Sequence, residues 1–139
     1  IVECTIEEYL RLAAPEATVA EVRKALEYVG LDEVIDNLDD GIATRISVLG
    51  DPLQPLEFLL LKLAAAVLSK PQVLVINQHF DAIPQSIKER LLERIARLDC
   101  TVLYFTNMPL KGVFNATLNL QDVLYVEDSA TDNKGEGHE

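Results

Sequence analysis

Amides, not carboxylates, close the most strand-like run of this sequence. Val73-Leu74-Val75-Ile76 leads straight into Asn77-Gln78, followed by His79, Phe80 and Asp81. A neutral amide oxygen such as that of Asn77 holds a hard cation, or the water around one, only weakly. Gln78 can orient a water molecule but has no useful proton affinity near neutral pH. Asp81 reads as a charge capping a helix start, with service as an unusual base as the sharper option. His79 and Phe80 read as packing or solvent-facing side chains.

A second group, Leu53-Gln54-Pro55-Leu56-Glu57, opens a long apolar stretch. A helix start can cradle an anion through its free N–H groups. Here Pro55 has no N–H to give, Leu56 is bulky, and Glu57 adds negative charge. Gln54 and Glu57 therefore read as caps of their own helix. Cys4 and Cys100, the two cysteines, lie far apart with no metal-ligand spacing, and His79 and His138 form no pair. The two cysteines are expected to be small buried apolar residues in a reducing compartment, and no metal site is expected.

Composition narrows the partners. The chain has 139 residues and a formal net charge of -11, enough for one domain with a true core. That charge repels polyanions, and no basic cluster offsets it, so nucleic acid is excluded as an expected partner. The longest apolar run, Phe58 to Leu68, is interrupted by Lys62 and falls short of the ~20 residues a membrane helix needs. The segment is expected to be soluble, and its start at Ile1 suggests excision from a longer protein.

The elements that must position these groups are legible in outline. Thr5 with Glu8, and Thr18 with Glu21, have the form of capping boxes. They start a helix with Ile6, Tyr9, Leu10 and Ala13 inward, ending before Pro15, and another with Val19, Val22, Ala25, Leu26 and Val29 inward, ending at Gly30. A short helix over about 32–38 follows. After Gly50-Asp51-Pro52 a helix from Pro55 to Leu68 is apolar nearly all round, as buried helices are. Lys70-Pro71 turns the chain into Val73–Ile76, a run expected to be covered on both faces in a parallel sheet. Pro84 starts a helix to about Leu98, with Ile87, Leu91, Leu92, Ile95 and Leu98 inward and Lys88, Arg90, Glu93 and Arg97 solvated. Thr101–Phe105 completes a βαβ unit. Thr117–Leu120 and Val123–Val126 are shorter strand candidates, and the acidic stretch after Glu127 is expected to be disordered.

Taken together, the residues from Leu53 to Pro84 resemble, without a gap, the part of an ABC-type ATPase domain that runs from its LSGGQ signature to the loop after its Asp-Glu strand. Thr5-Ile6, Val29-Gly30-Leu31-Asp32 and Asp40-Gly41-Ile42-Ala43-Thr44-Arg45-Ile46 resemble further stretches of exporter-type members. Asn107 falls where the family has its switch histidine. The resemblance implies an α/β, P-loop NTPase-like fold: a helical subdomain over 1–70 carrying the signature-like helix, the C-terminal half of the nucleotide-binding core over 71–126, and a tail over 127–139.

The same resemblance implies a site in which the family's carboxylates and histidine have become Asn77, Gln78 and Asn107, and its signature has become Leu53–Glu57. It further implies a domain of a membrane transporter, on the cytoplasmic side, partnered by a second nucleotide-binding domain and a transmembrane domain. With these replacements the expected role is non-hydrolytic, in dimerisation or regulation, and an enzymatic role is left open; a nucleotide-independent interaction scaffold is the alternative. No cofactor is expected for this chain, ATP and magnesium being possible only in a full-length parent. No phosphate loop of the form GxxxxGK followed by Ser or Thr occurs in it.

Overall fold

The computed structural model describes residues 3–108 and 112–120. The chain divides into two compact units, Ile1–Pro109 and Leu110–Glu139, and every element below lies in the first. It opens with a two-residue strand, β1 (Cys4–Thr5), paired antiparallel with β2 (Arg45–Ile46). Two residues are too few to show an alternating pattern, so this clip left no trace in the sequence reading.

Both capping boxes form. Thr5 Oγ1 accepts the Glu8 N–H at 3.1 Å while the Glu8 carboxylate accepts the Thr5 N–H at 2.8 Å, starting α1 (Ile6–Ala13). Thr18 and Glu21 repeat the exchange at 3.2 and 2.8 Å to start α2 (Val19–Val29). Gly30 ends α2 at φ +78°, a left-handed conformation that glycine adopts without a Cβ penalty. The inward faces differ at their ends: Ile6, Leu10, Val22, Ala25, Leu26 and Val29 are buried, but Ala13 and Val19 are exposed. Each lies at a helix terminus, where the stripe runs past the edge of its neighbours. The next helix, α3 (Asp32–Asp36), stops two residues before the expected Leu38.

Helix α4 (Pro55–Leu68) begins and ends where its sequence pattern placed it, and packs against α1 and α2. Leu60, Leu61, Leu63, Ala64, Ala65 and Leu68 are buried, and each fully buried leucine contributes roughly 1.5–3 kcal/mol. Lys62, the break in the apolar run, is exposed and lays its ammonium 4.5 Å from the centre of the Phe58 ring.

The sheet that carries the candidate site is a parallel pair, β3 (Val73–Ile76) and β4 (Thr101–Tyr104), joined through α5 (Gln85–Ala96). Register runs from Val73 opposite Thr101 to Ile76 opposite Tyr104. Coverage of β3 on both faces does not hold. Leu74 and Ile76 are buried, whereas Val73 and Val75 are 52% and 58% exposed. An unbroken apolar run has no alternation to show which face is covered; neighbouring elements decide that, and this pair has them on one side.

Lys88 is a second correction. The sequence pattern sets it on the solvated face of α5, yet it is 3% exposed. Its spacing from Leu91, Leu92 and Ile95 puts it on their face of the helix, and its neighbours leave the ammonium buried. Arg90, Glu93 and Arg97 are exposed as expected. Residues 117–120 form no strand, and Val123–Val126 and the tail after Glu127 lie outside the described residues. Cys4 and Cys100 are free thiols, half-buried where burial is expected of them, because each lies at the edge of an element. Among the described residues, no helix is long and apolar enough to cross a membrane.

Candidate functional site

The carboxyl ends of β3 and β4 face the region where open α/β sheets hold their ligands. At the β3 end, Asn77 Oδ1 accepts the His79 N–H at 3.0 Å and so starts a 3-10 turn over Gln78–Ala82. The Asn77 amide oxygen is thus already engaged in shaping its own loop. Gln78 Oε1 accepts from Asn107 Nδ2 at 3.3 Å, so the structure brings together two of the three amides singled out in the sequence. All three are exposed, as is His79, while Phe80 is buried and meets the Tyr104 ring edge-on at 5.8 Å.

Asp81 does not cap α5, which begins at Gln85 behind Pro84. Its carboxylate instead gathers donors from the end of β4 and the loop beyond it. Oδ1 accepts the Tyr104 hydroxyl and, at 2.7 Å, the Thr106 hydroxyl. Oδ2 accepts the Asn107 backbone N–H at 3.1 Å. The Asp81 carbonyl accepts the Lys88 ammonium at 3.3 Å, and the same ammonium lies 3.5 Å from Met108 Sδ.

Burial works to raise the Asp81 pKa, but the bonds from Tyr104, Thr106 and Asn107, with the Lys88 charge, outweigh it and hold the group below the usual aspartate range. Tyr104 is pushed up to about 12, first by burial and then by its bond to Asp81. A carboxylate so well supplied with donors has little appetite for a proton, which argues against Asp81 as a general base. Sequence reasoning missed Tyr104, Thr106 and Lys88. The two-residue spacing of Tyr104 and Thr106 was visible, but only the β3–β4 pairing sets them against Asp81.

The Leu53–Glu57 group makes the contacts of its own helix start. Leu53 is buried, and the Glu57 carboxylate accepts the Gln54 N–H at 2.7 Å, as expected of a cap. Pro55 occupies the first helical position. Two surface hollows lie at the opposite end of the sheet from the amide cluster or beside α2: one of about 290 Å³ between Pro71, Leu98 and Cys100, the other of about 240 Å³ between Pro15, Leu68 and Lys70. Neither includes a residue singled out for chemistry. No three His, Cys, Asp or Glu side chains among the described residues are grouped to hold a metal ion.

No protein-family model matches the chain. Curated relatives do. An ABC transporter ATP-binding protein of Bacillus subtilis, YknV, is 30% identical over 94 residues, or 68% of this chain. A fatty acid ABC transporter ATP-binding/permease protein of Mycobacterium bovis is 30% identical over 67% of it. The chain belongs to the ABC transporter ATP-binding proteins. The sublancin-168-processing and transport ATP-binding protein SunT of Bacillus subtilis, 29% identical over 82% of this chain, is a third relative from the same family. This chain spans about 16% of the length of such ABC relatives. In fold it is similar to a bacterial Atm1-family ABC exporter solved with ATP bound, at a TM-score of 0.67 and 21% identity over 74% of this chain and 18% of that one.

Proposed function

We propose that this chain is a degenerate portion of the nucleotide-binding domain of an ABC-type membrane transporter, acting in dimerisation or regulation without hydrolysing ATP. In this reading residues 1–70 are the helical subdomain and 71–126 the C-terminal half of the parallel-sheet core. The domain sits on the cytoplasmic side of the membrane, beside a transmembrane domain and a second nucleotide-binding domain. The parallel pairing of β3 with β4 supports the assignment of the core.

The observation that carries the non-hydrolytic part is the occupancy of the strand end. Asn77 is bonded to His79, Gln78 to Asn107, and the carboxylate of Asp81 to Tyr104, Thr106 and Asn107. This donor set does not fit a magnesium–nucleotide group, which needs anionic oxygen for the metal and a base for water. Turnover of magnesium-ATP by the full-length polypeptide, with and without Asp81→Asn, tests the reading. Background turnover in both proteins is expected. Turnover well above background that Asp81→Asn abolishes would overturn it and make Asp81 the base.

A nucleotide-independent interaction scaffold is the second reading. The apolar face of β3 and β4, with Val73, Val75, Leu103 and Phe105 exposed, favours it by offering a docking surface that requires no ligand. Equilibrium binding of a fluorescent ATP analogue to the full-length polypeptide separates the two. Binding selects the first reading, and none at millimolar analogue selects the second.

A further inference from the structure

We propose that Asp81 is a latch that fixes the loop after β4 onto the loop after β3, holding Asn107 in one place whether or not nucleotide is present. That nucleotide leaves the loop where it is rests on the non-hydrolytic reading above; the latch itself rests on geometry. Three donors converge on one carboxylate from consecutive stations of the other loop: the Tyr104 hydroxyl at the end of β4, the Thr106 hydroxyl and the Asn107 N–H. Thr106 is itself anchored, its Oγ1 accepting the Met108 N–H at 2.9 Å. From the third side, Lys88 on α5 reaches the Asp81 carbonyl and the Met108 sulfur, so one buried ammonium touches both loops.

The charged and titratable groups around the carboxylate are therefore Lys88 from α5 and Tyr104 from β4, with His79 exposed two residues away on the same turn. Both facing groups favour the ionised form. A loop tied at three successive stations and backed by a buried cation has no slack with which to follow a ligand arriving at the strand end. The Gln78–Asn107 amide bond closes the gap between the two loops at 3.3 Å.

Amide hydrogen exchange of the 105–108 segment in the full-length polypeptide at pH 7 reads the latch directly. In the unaltered protein, exchange is expected to be slow and unchanged by magnesium-ATP. Asp81→Asn is nearly isosteric and keeps one oxygen for the two hydroxyls, but it presents an NH₂ group to the Asn107 N–H. It is expected to speed exchange at that amide about tenfold, as for the loss of one charge-assisted bond, while α2 and α4 stay protected. Packing alone would be preserved by Asn, so equal exchange in the two proteins overturns the latch. Tyr104→Phe keeps the ring contact with Phe80 and removes one donor; a smaller acceleration is expected, and it decides the matter if Asp81→Asn fails to fold. Magnesium-ATP altering exchange in the unaltered protein also overturns the latch. ATP turnover with exchange unaffected would instead fall on the non-hydrolytic reading.

Discussion

Restoring Asp at 77 and Glu at 78 returns the charges that metal binding and water activation need, yet it leaves Pro55, Leu56 and Glu57 in place at the start of α4. The double variant Asn77→Asp, Gln78→Glu is expected to show no gain in magnesium-ATP turnover over the unaltered full-length protein. Strong turnover would mean that the Leu53–Glu57 replacements matter less than argued. Asp81 gives a prediction in pH. Its folded-state pKa lies below the ordinary value, so its stabilising bonds are fully present above about pH 3.9 and are lost as pH falls from there through the depressed value. The unaltered protein is expected to exceed Asp81→Asn in stability by about 1–2 kcal/mol near neutrality. That difference should shrink in melting curves taken progressively below about pH 4, and one independent of pH down to full acid unfolding would contradict the charge-based account.

At the scale of elements, helix starts and one tight turn carry the local argument. Thr18→Ala removes the side-chain half of the α2 capping box and is expected to cost about 1 kcal/mol in chemical unfolding. Because Glu21 also pairs with Lys70 at 2.8 Å, its carboxylate, held down to about 2 first by that lysine, remains charged and keeps the other half. Gly50 is less forgiving. It sits at φ +98°, and a Cβ there would come within 2.5 Å of the Phe58 ring, so Gly50→Ala combines backbone strain with a clash on the first turn of α4. A loss of about 2 kcal/mol is expected, and an unchanged denaturation midpoint would show that the turn can rearrange. The capping boxes were legible beforehand because they depend on residues three apart, whereas the contact of Gly50 with Phe58, eight residues on, was not. Lys88 was not, although its spacing from Leu91, Leu92 and Ile95 was in view: a lysine on an apolar stripe usually curls its charge out to water, and only the loops packed around it prevent this.

For the molecule as a whole, the decisive feature is the apolar face of the two-stranded sheet. If the proposed core assignment holds, further elements cover that face in the full-length polypeptide. Val75→Asp should then cost about 3 kcal/mol or more there, as a buried unpaired charge does, while leaving the isolated chain nearly unaffected in thermal unfolding. Equal tolerance in both would show that the face stays open. The amino-acid order alone fixed the capped helices, the span of α4, and the βαβ unit with amides at its strand end, since each follows from propensity and periodicity over a few neighbouring residues. Only the tertiary structure decided that β3 has one open face, that Lys88 is buried, and that Asp81 is a bonded anchor and not a cap. The last two depend on Tyr104, Thr106, Asn107 and Met108, which lie more than twenty residues from Asp81 along the chain and come near it only because two parallel strands end side by side.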